Sequence, residues 1–223
     1  MKVLEQGKKC QGLMAYLNDL ESLLNPKSRA STIKEYLDLD HLELALATRS
    51  AYAFKLLQGT LSRSSLPEKE KTNEAFALDI DSAAKLHIEY LIVQVARQHF
   101  KNHEFKDPRI KELLETLLSI FAAKLLMKNT EGLYEIGFFG PGSKRLLQDG
   151  FSQLLAKIRP HMLPLVEDWP QIDTAYTVIG NRWGDIYEAQ LDFARNSRLN
   201  KHPVAPYYET LIKPLMNQRK HKL

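Results

Sequence analysis

Two histidines four residues apart are the first place in this sequence where side chains could perform chemistry. On a helix, His99 and His103 would lie on one face, and this spacing can bring two imidazoles to one metal ion. Two ligands do not complete a metal site, and the neighbouring Lys101, Asn102 and Glu104 are typical of a solvated helix end. The pattern therefore favours a surface helix end over a metal centre.

The other residues of catalytic type are isolated from one another. His87 lies among apolar neighbours, where a general base is one interpretation and a hydrogen-bonded core histidine is the favoured one. Glu188 beside Tyr187 is a candidate by residue type alone, and a salt bridge explains it better. Cys10 is the only cysteine, which excludes an internal disulfide and is typical of a reducing compartment. The residues alone therefore assign no catalytic residue and no metal ligand.

The segment Gly137–Lys144 contains three glycines and superficially resembles a phosphate-binding loop. A Walker loop requires Gly-Lys followed by Ser or Thr, and it comes directly after a strand. Here Ser143 precedes Lys144, and no strand is predicted before the segment. We interpret the segment as a turn between two helices.

The composition narrows the classes of function. The chain has 223 residues, of which 44% are apolar and 26% charged, with a net charge of +4. Lysine and arginine are spread along the chain, whereas nucleic-acid modules concentrate them on one stripe. No apolar run approaches the ~18–20 residues that a membrane-spanning helix needs. We therefore predict neither a nucleic-acid partner nor a membrane span.

The spacing of apolar residues predicts an all-α fold, a bundle of roughly six to eight helices. Two helix starts have clear capping residues: Asp40 with Glu43 three residues later, and Asp107 before Pro108. Helices are predicted over Met1–Leu24, from Asp40, over Asn73–Asn102, from Asp107, over Lys144–Leu155 and within Ile179–Asn200. The connectors are Lys27–Leu39 and Ser62–Thr72, the second of which is a loop or a frayed helix start. The prolines of the tail predict an end that is mostly extended or singly turned.

Each predicted helix has an apolar stripe that we expect to face the core. The expected core positions are Leu13, Leu17, Leu20, Leu24, Leu42, Leu46, Ala53, Leu57, Leu61, Ile80, Ala84, His87, Leu91, Val95, Gln98, Ile110, Leu113, Leu117, Ile120, Phe121, Leu147, Phe151 and Leu155. On the helix within Ile179–Asn200, the apolar face expected to dock on the bundle is Trp183, Ile186, Tyr187, Leu191 and Ala194.

The order of residues in the stretch Ile179–Asn200 resembles that of a known protein family. Its run Trp-Gly-Asp-Ile-Tyr-Glu, followed by Phe-Ala, Asn-Ser and Leu-Asn, resembles the last helix of the peroxisomal acyl-CoA oxidases. That family typically has Tyr-Asp-Gly-Asn-Val-Tyr-Glu, then Trp-Ala and Ser-Pro-Leu-Asn. This chain departs from the pattern at Trp183-Gly184-Asp185 and at Arg198, where the family has proline.

Three further runs extend the resemblance over nearly the whole chain. Gly12–Asp19 resembles the family's Gly-Met-Val-Ser-Tyr-Leu-Asn-Asp, and Ala84–His87 resembles the corresponding oxidase helix. Ile158-Arg159-Pro160 and Leu165-Val166 resemble the family's Ile-Arg and Ala-Leu-Val-Asp runs. The order of these runs indicates the C-terminal helical region of an acyl-CoA oxidase.

The resemblance implies a homodimeric FAD-dependent oxidoreductase of peroxisomal fatty-acid β-oxidation. In that family a glutamate removes the α-proton of a fatty acyl-CoA while the β-hydride passes to FAD, and dioxygen then yields hydrogen peroxide and trans-2-enoyl-CoA. The family's glutamate lies immediately upstream of the point where Met1 falls. We therefore expect this chain, as a fragment or a short gene model, to be inactive alone and not to bind FAD alone. No cofactor-binding residue is assigned.

The last three residues, His221, Lys222 and Leu223, resemble the peroxisomal import tripeptide Ser-Lys-Leu. We expect an import receptor as a partner and the peroxisome as the location, although a basic tail could also contact nucleic acid. The expected regions are 1–30, the end of a preceding helical domain, 40–215, the C-terminal bundle, and 216–223, the tail. The alternative function is a free-standing helical interaction or regulatory module without catalysis.

Overall fold

The computed structural model describes residues 9–25, 28, 30–167, 186–202 and 204–220, and the regular structure within them is entirely helical. The α-helices are α1 (Leu20–Leu24), α2 (Ile33–Tyr36), α3 (Leu39–Arg63), α4 (Glu68–Glu70), α5 (Ala77–Asn102), α6 (Pro108–Lys128), α7 (Glu131–Glu135), α8 (Ser143–Ile158), α9 (Met162–Glu167), α10 (Ile186–Asn196) and α11 (Lys213–Lys220). The 3₁₀ helices are Gly12–Asp19, Arg159–His161 and Arg198–Asn200, and the π-helical turns are Lys71–Ala75 and Tyr208–Ile212. The predicted all-α class is confirmed.

The chain divides into two compact units after Pro160. In the first unit α3 packs against α5 and α6, and α6 packs against α8. The core between them is built from leucines, alanines, one valine and aromatic rings, and it includes Tyr36, Leu42, Leu46, Tyr90, Val93, Leu118, Ala122, Leu126, Leu133, Phe138, Phe139 and Leu147. Each of the large apolar side chains contributes about 1.5–3 kcal/mol when fully buried. The predicted regions 1–30, 40–215 and 216–223 stay a prediction.

A second apolar cluster holds the first helical segment against α3 and α5. Leu17, 1% exposed, packs with Ala51, Phe54 and Leu57 of α3 and with Ala83 of α5. This cluster fixes Gly12–Leu24 to the bundle. The predicted helix over Met1–Leu24 is wrong in two respects: residues 9–11 are not helical and Gly12–Asp19 is a 3₁₀ helix. Residues 1–8 lie outside the described residues.

The helix starts follow local side-chain chemistry, although one predicted cap is displaced. Asp107 accepts a hydrogen bond from the Arg109 backbone N–H at 2.9 Å, with Pro108 in the first turn as predicted. At α3 the cap is Asp38, which accepts from the Asp40 N–H at 2.8 Å. Asp40 therefore lies inside the first turn, and its carboxylate is free to pair with another helix.

The connector predicted over Lys27–Leu39 contains a helix that the sequence analysis missed. Thr32 caps α2, and the Thr32 backbone N–H donates to the Glu35 carboxylate, which completes a capping box. Tyr36 at the end of this short helix is 3% exposed. A single turn of helix gives too short a repeat for an apolar stripe to reveal it.

The predicted stripes of α5 and α6 are partly wrong in register. On α5 the buried residues are Ala83, Tyr90 and Val93, whereas Ala84, Val95 and Gln98 are exposed. On α6 Ile110 and Phe121 are exposed, and the core side includes Thr116, Leu118, Ser119, Ala122, Ala123, Leu125 and Leu126. Leu13 and Leu155 are exposed as well. These helices are apolar on more than one side, so spacing alone does not identify the core face.

The second unit begins at His161. Of the predicted stretch Ile179–Asn200, residues 186–196 form α10 as predicted, and residues 179–185 lie outside the described part. The prediction of a mostly extended or singly turned tail is wrong in part, because Lys213–Lys220 forms the eight-residue helix α11 with Pro214 in its first turn. Proline is tolerated there because the N–H groups of the first turn have no helical partner. Among the described residues, no helix has the length and apolar character required to cross a membrane.

Candidate functional site

A polar cluster joins three segments of the first unit at the side chain of Tyr16. The Tyr16 hydroxyl lies 2.7 Å from the Ser50 Oγ and 2.8 Å from His87 Nδ1. The rings of Tyr16 and His87 are stacked, with centroids 5.6 Å apart. The 3₁₀ helix presents Tyr16, α3 presents Ser50 and α5 presents His87, so this cluster links sequence positions 71 residues apart.

The pKa shifts of Tyr16 and His87 favour a role in positioning the first helical segment over a role in proton transfer. Burial raises the pKa of Tyr16 to about 12, so the phenol stays protonated at neutral pH. Burial also lowers the pKa of His87, so its imidazole is neutral. Two neutral hydrogen-bonding groups hold the first segment in place, in keeping with the favoured interpretation of His87 as a hydrogen-bonded residue.

A buried ion pair is the main polar feature that the sequence analysis missed. Arg49 is 2% exposed, and its Nη2 donates to Glu89 Oε2 at 2.6 Å. Its Nη1 donates to the carbonyl oxygens of Leu125 at 2.7 Å and Asn129 at 3.2 Å. Arg49 therefore ties α3 to α5 and to the end of α6. A charged residue within the small-residue run Ala45–Ala51 was the available signal.

A second group of charges lies further along the same pair of helices. The Arg97 guanidinium of α5 donates to the carboxylates of Asp40 and Glu43 on α3. Together with the Arg49–Glu89 pair, these contacts show that α3 and α5 run antiparallel. They fix the register of the two helices.

The histidine pair considered first is exposed at the end of α5. The rings of His99 and His103 are stacked with centroids 5.4 Å apart, and His103 also contacts Phe105 edge-on. No group of three or more His, Cys, Asp or Glu side chains within the described residues is arranged to hold a metal ion. The pair thus lacks a nearby third ligand in this part of the chain.

The glycine-rich segment 137–144 is a turn whose polar groups bond to the protein itself. Gly137 and Gly142 have φ angles of 68° and 86°, which favour glycine. The Ser143 Oγ accepts from the Gly140 N–H at 3.0 Å and lies 2.6 Å from the Tyr36 hydroxyl. The Lys144 N–H donates to the Tyr134 hydroxyl at 3.0 Å. These bonds support the predicted helix-to-helix turn.

The remaining candidates lie at the two ends of the described chain. Tyr187 is 81% exposed and Glu188 is also exposed on α10, with no cluster of catalytic type around them in the described residues. The backbone of Cys10 pairs with the Asn18 side chain through two hydrogen bonds of 2.6 and 2.8 Å. Trp183, Gly184 and Asp185 and the tripeptide His221, Lys222 and Leu223 lie outside the described residues.

A cavity of about 880 Å³ opens between α2, α3, α5, α6 and α8. Its charged lining includes Asp38, Glu112 and Glu115 as well as Lys34, Lys101 and Lys157. The Lys157 ammonium already pairs with Glu112 at 2.7 Å. The whole lining has four carboxylates and four cationic side chains, so it has no net positive charge to attract the pyrophosphate of a dinucleotide such as FAD, and it contains no glycine-rich cradle. No feature of this cavity is specific for FAD, and we derive no step through a flavin in it.

Comparison with known proteins gives a consistent result. Residues 38–217 match the family described as acyl-CoA oxidase. Peroxisomal acyl-coenzyme A oxidase 1 of Cavia porcellus is 28% identical over 229 residues, covering 98% of this chain and 34% of the relative. The structure of Arabidopsis thaliana acyl-CoA oxidase 1 superposes with a TM-score of 0.82 at 22% identity, covering 97% of this chain and 33% of that one.

A further solved structure is that of acyl-CoA oxidase-1 of Caenorhabditis elegans complexed with FAD and ATP. It has a TM-score of 0.69 at 24% identity and covers 97% of this chain and 32% of that one. The chain thus spans about a third of the length of the relatives that it matches over nearly its whole length.

Proposed function

The chain belongs to the acyl-CoA oxidase family, and we propose that it forms the C-terminal helical part of a peroxisomal oxidase acting on fatty acyl-CoA. The observation that carries the proposal is the family match over residues 38–217. The predicted peroxisomal location is confirmed by the name of the Cavia porcellus relative. The family is FAD-dependent, and the related Caenorhabditis elegans enzyme is complexed with FAD.

The proposed reaction of the whole enzyme converts fatty acyl-CoA and dioxygen to trans-2-enoyl-CoA and hydrogen peroxide, the first step of peroxisomal β-oxidation. FAD supplies the redox chemistry in such enzymes, while the protein orients the substrate and supplies the base. The described residues of this chain provide neither a cluster of catalytic type nor a cavity with features specific for FAD. The contribution that we assign to this chain is therefore structural.

Two contacts of the first unit support that structural role. The Tyr16–Ser50–His87 cluster fixes the segment Gly12–Leu24 to α3 and α5, and Arg49 joins α3, α5 and α6. In the proposed enzyme this segment follows the helix that carries the glutamate base. A rigid attachment of the segment would hold that helix in a fixed direction, and the same bundle would support a homodimer.

A peroxide assay tests the division of roles. Purified chain is mixed with FAD and palmitoyl-CoA, and hydrogen peroxide is followed by a peroxidase-coupled dye, with a full-length plant acyl-CoA oxidase as the positive control. We expect no peroxide above the protein-free rate. Peroxide formed by the chain alone would show that it carries its own base and flavin site, and the structural assignment would be wrong.

The import role is proposed for His221, Lys222 and Leu223. A fluorescent protein fused in front of the chain should enter peroxisomes, and deletion of Leu223 should leave it in the cytosol because receptors of this type read the terminal tripeptide. A matched control, Met216→Ala, changes an exposed residue outside the tripeptide and should leave import intact. Import that survives the deletion would contradict the assignment.

The genomic sequence upstream of Met1 distinguishes the proposed oxidase from the alternative, a free-standing helical module. An in-frame Tyr-Glu-Gly stretch upstream of Met1 would favour the enzyme, whereas an in-frame stop codon would favour the module.

A further inference from the structure

The cavity between α2, α3, α5, α6 and α8 has an apolar as well as a charged lining. Four of its residues are apolar side chains that the chain leaves half-buried: Leu37, Leu39, Phe100 and Leu154. Its volume of about 880 Å³ lies within the about 300–1,000 Å³ that sites for small organic molecules occupy. The cavity therefore offers both space and uncovered apolar surface to a small molecule.

The carboxylates of this lining already have partners within the chain. Three of them form ion pairs: Asp40 with Arg97, Glu112 with Lys157 and Glu115 with Lys111. The fourth, Asp38, accepts hydrogen bonds from the backbone N–H groups of Asp40 and His41. Because Lys111 lies outside the lining, these ion pairs use only two of the four cations that line the cavity.

Three hydrogen-bond donors of the lining have no partner among the described residues. Two are the ammonium groups of Lys34 on α2 and Lys101 in the last turn of α5. The third is the hydroxyl of Ser119 on α6, a residue that is only 6% exposed. Because buried hydroxyl groups in proteins are normally hydrogen-bonded, the Ser119 hydroxyl requires a partner that the described chain does not supply.

These donors select the chemistry of the ligand. An ammonium group donates hydrogen bonds and accepts none, so the complementary group is an anionic acceptor. A doubly charged phosphate would also meet the four carboxylates of the lining, whereas a single negative charge is matched by the two unpaired ammonium groups. The half-buried apolar residues favour a hydrocarbon body for the rest of the molecule.

We propose that this cavity binds an aliphatic monocarboxylate, whose carboxylate accepts hydrogen bonds from Lys34, Lys101 and Ser119. The hydrocarbon chain of the ligand lies against the apolar residues of the lining. The inference goes beyond the proposed function, because the site lies within the first unit and requires neither FAD nor acyl-CoA. A ligand of about a dozen non-hydrogen atoms should bind with a dissociation constant on the order of 100 µM.

Isothermal titration calorimetry with decanoate is the first test. The chain should bind decanoate saturably at a single site, below the concentration at which this carboxylate forms micelles. Decanol and decyltrimethylammonium have the same hydrocarbon chain without the negative charge, and they should bind at least about 10-fold more weakly. Decyl phosphate, which is doubly charged at pH 8, should also bind more weakly than decanoate because of the carboxylates in the lining.

Substitutions test the assigned donors. Lys101→Met should weaken decanoate binding about 10-fold, because it removes a charge-assisted hydrogen bond, and Ser119→Ala should weaken it about 3-fold. The matched control is Lys124→Met, which changes an exposed lysine of α6 outside the lining and should leave the affinity unchanged. The melting temperatures of both methionine variants should match that of the unmodified chain, because neither ammonium group has a partner among the described residues.

Four results would overturn the proposal. They are the absence of saturable decanoate binding at millimolar concentration, decanol binding as tight as that of decanoate, tighter binding of decyl phosphate, and equal affinities of Lys101→Met and Lys124→Met for decanoate. The second result would mean adsorption to apolar surface without recognition of the carboxylate. None of these outcomes depends on whether the chain forms part of an oxidase, so failure here leaves the proposed function intact.

Discussion

Both units of the chain contain amphipathic helices, but the apolar side chains of these helices are buried in the first unit and exposed in the described part of the second. In the first unit residues such as Leu42, Leu46 and Leu147 are fully buried. In the second unit no described side chain is buried, and the apolar residues Tyr187 and Leu199 are 81% and 86% exposed. In the first unit the apolar stripes of α3, α5 and α6 pack against one another, so its stability should depend on its buried contacts.

The largest expected difference between the units concerns their ion pairs. Arg49→Met should lower the free energy of unfolding by about 3–5 kcal/mol, because Glu89 is then left without its partner in a largely buried position. Arg195→Met, which removes the exposed pair with Asp192, should change it by less than about 1 kcal/mol. Urea unfolding followed by circular dichroism gives both values. The double variant Arg49→Met with Glu89→Leu should recover most of the loss, and equal effects of the two single changes would contradict the comparison.

Close packing within the first unit gives the next largest effect. A Cβ added at Gly150 of α8 would lie 2.8 Å from Leu37 Cδ2, so Gly150→Ala should cost about 1–2 kcal/mol despite its better helix propensity. At Gly59 of α3 an added Cβ would meet no atom within 4 Å. Gly59→Ala should therefore stabilise the chain by about 0.5–1 kcal/mol. Thermal unfolding of the two alanine variants measures the difference in their stabilities. If Leu37 can move without loss of packing, Gly150→Ala will not be destabilised and the prediction is wrong.

The aromatic core should make the first unit sensitive to mild acid. His41 packs between the Tyr36, Phe138 and Phe139 rings, and its buried Nε2 has no hydrogen-bond partner. Burial lowers the pKa of His41, an effect that the nearby carboxylates of Asp38 and Glu35 oppose.

Because this pKa is lower in the folded state than the usual 6.5, the unfolded state takes up the proton first. Stability is complete above about pH 6.5 and should fall as the pH drops below that value. Urea unfolding at pH 7.5 and 5.5 measures the loss, and His41→Phe should reduce it. A loss of the same size in His41→Phe would assign the sensitivity to other groups.

The smallest expected effect is on the exposed face of α10. Leu191 is 49% exposed, so Leu191→Ala should change the free energy of unfolding by less than about 0.5 kcal/mol. The same substitution at the fully buried Leu46 should cost about 2–5 kcal/mol. If Leu191→Ala proved as costly as Leu46→Ala, the second unit would have a core of its own in solution.

Local chemistry made much of the fold predictable from the sequence. The Asp107-Pro108 helix start depends on side chains that contact their own backbone neighbours, and the sequence contains that information directly. The family resemblance likewise depends on short runs such as Gly12–Asp19. Helix existence was predicted well for α3, α5, α6 and α8 because each repeats its apolar pattern over several turns.

Contacts between distant residues were not predictable in the same way. Arg49 and Glu89 lie 40 residues apart, and Tyr16 and His87 lie 71 apart. A charged residue on an amphipathic helix is normally solvated, so neither member of the ion pair indicates its partner. The register of α5 was misjudged for a related reason: two apolar faces were present, and nothing local indicates which one meets the bundle.

The contact of Arg49 with the carbonyl oxygens of Leu125 and Asn129 has a consequence for the order of folding. Asn129 at the end of α6 has an extended backbone, with φ of −152° and ψ of 93°, so the helix ends without a left-handed glycine. The Leu125 carbonyl in its last turn and the Asn129 carbonyl just beyond it accept from a guanidinium 76 or more residues earlier in the chain. A peptide of residues 108–129 should therefore fray at its C-terminal end, and the last turn of α6 should become ordered only when α3 has docked.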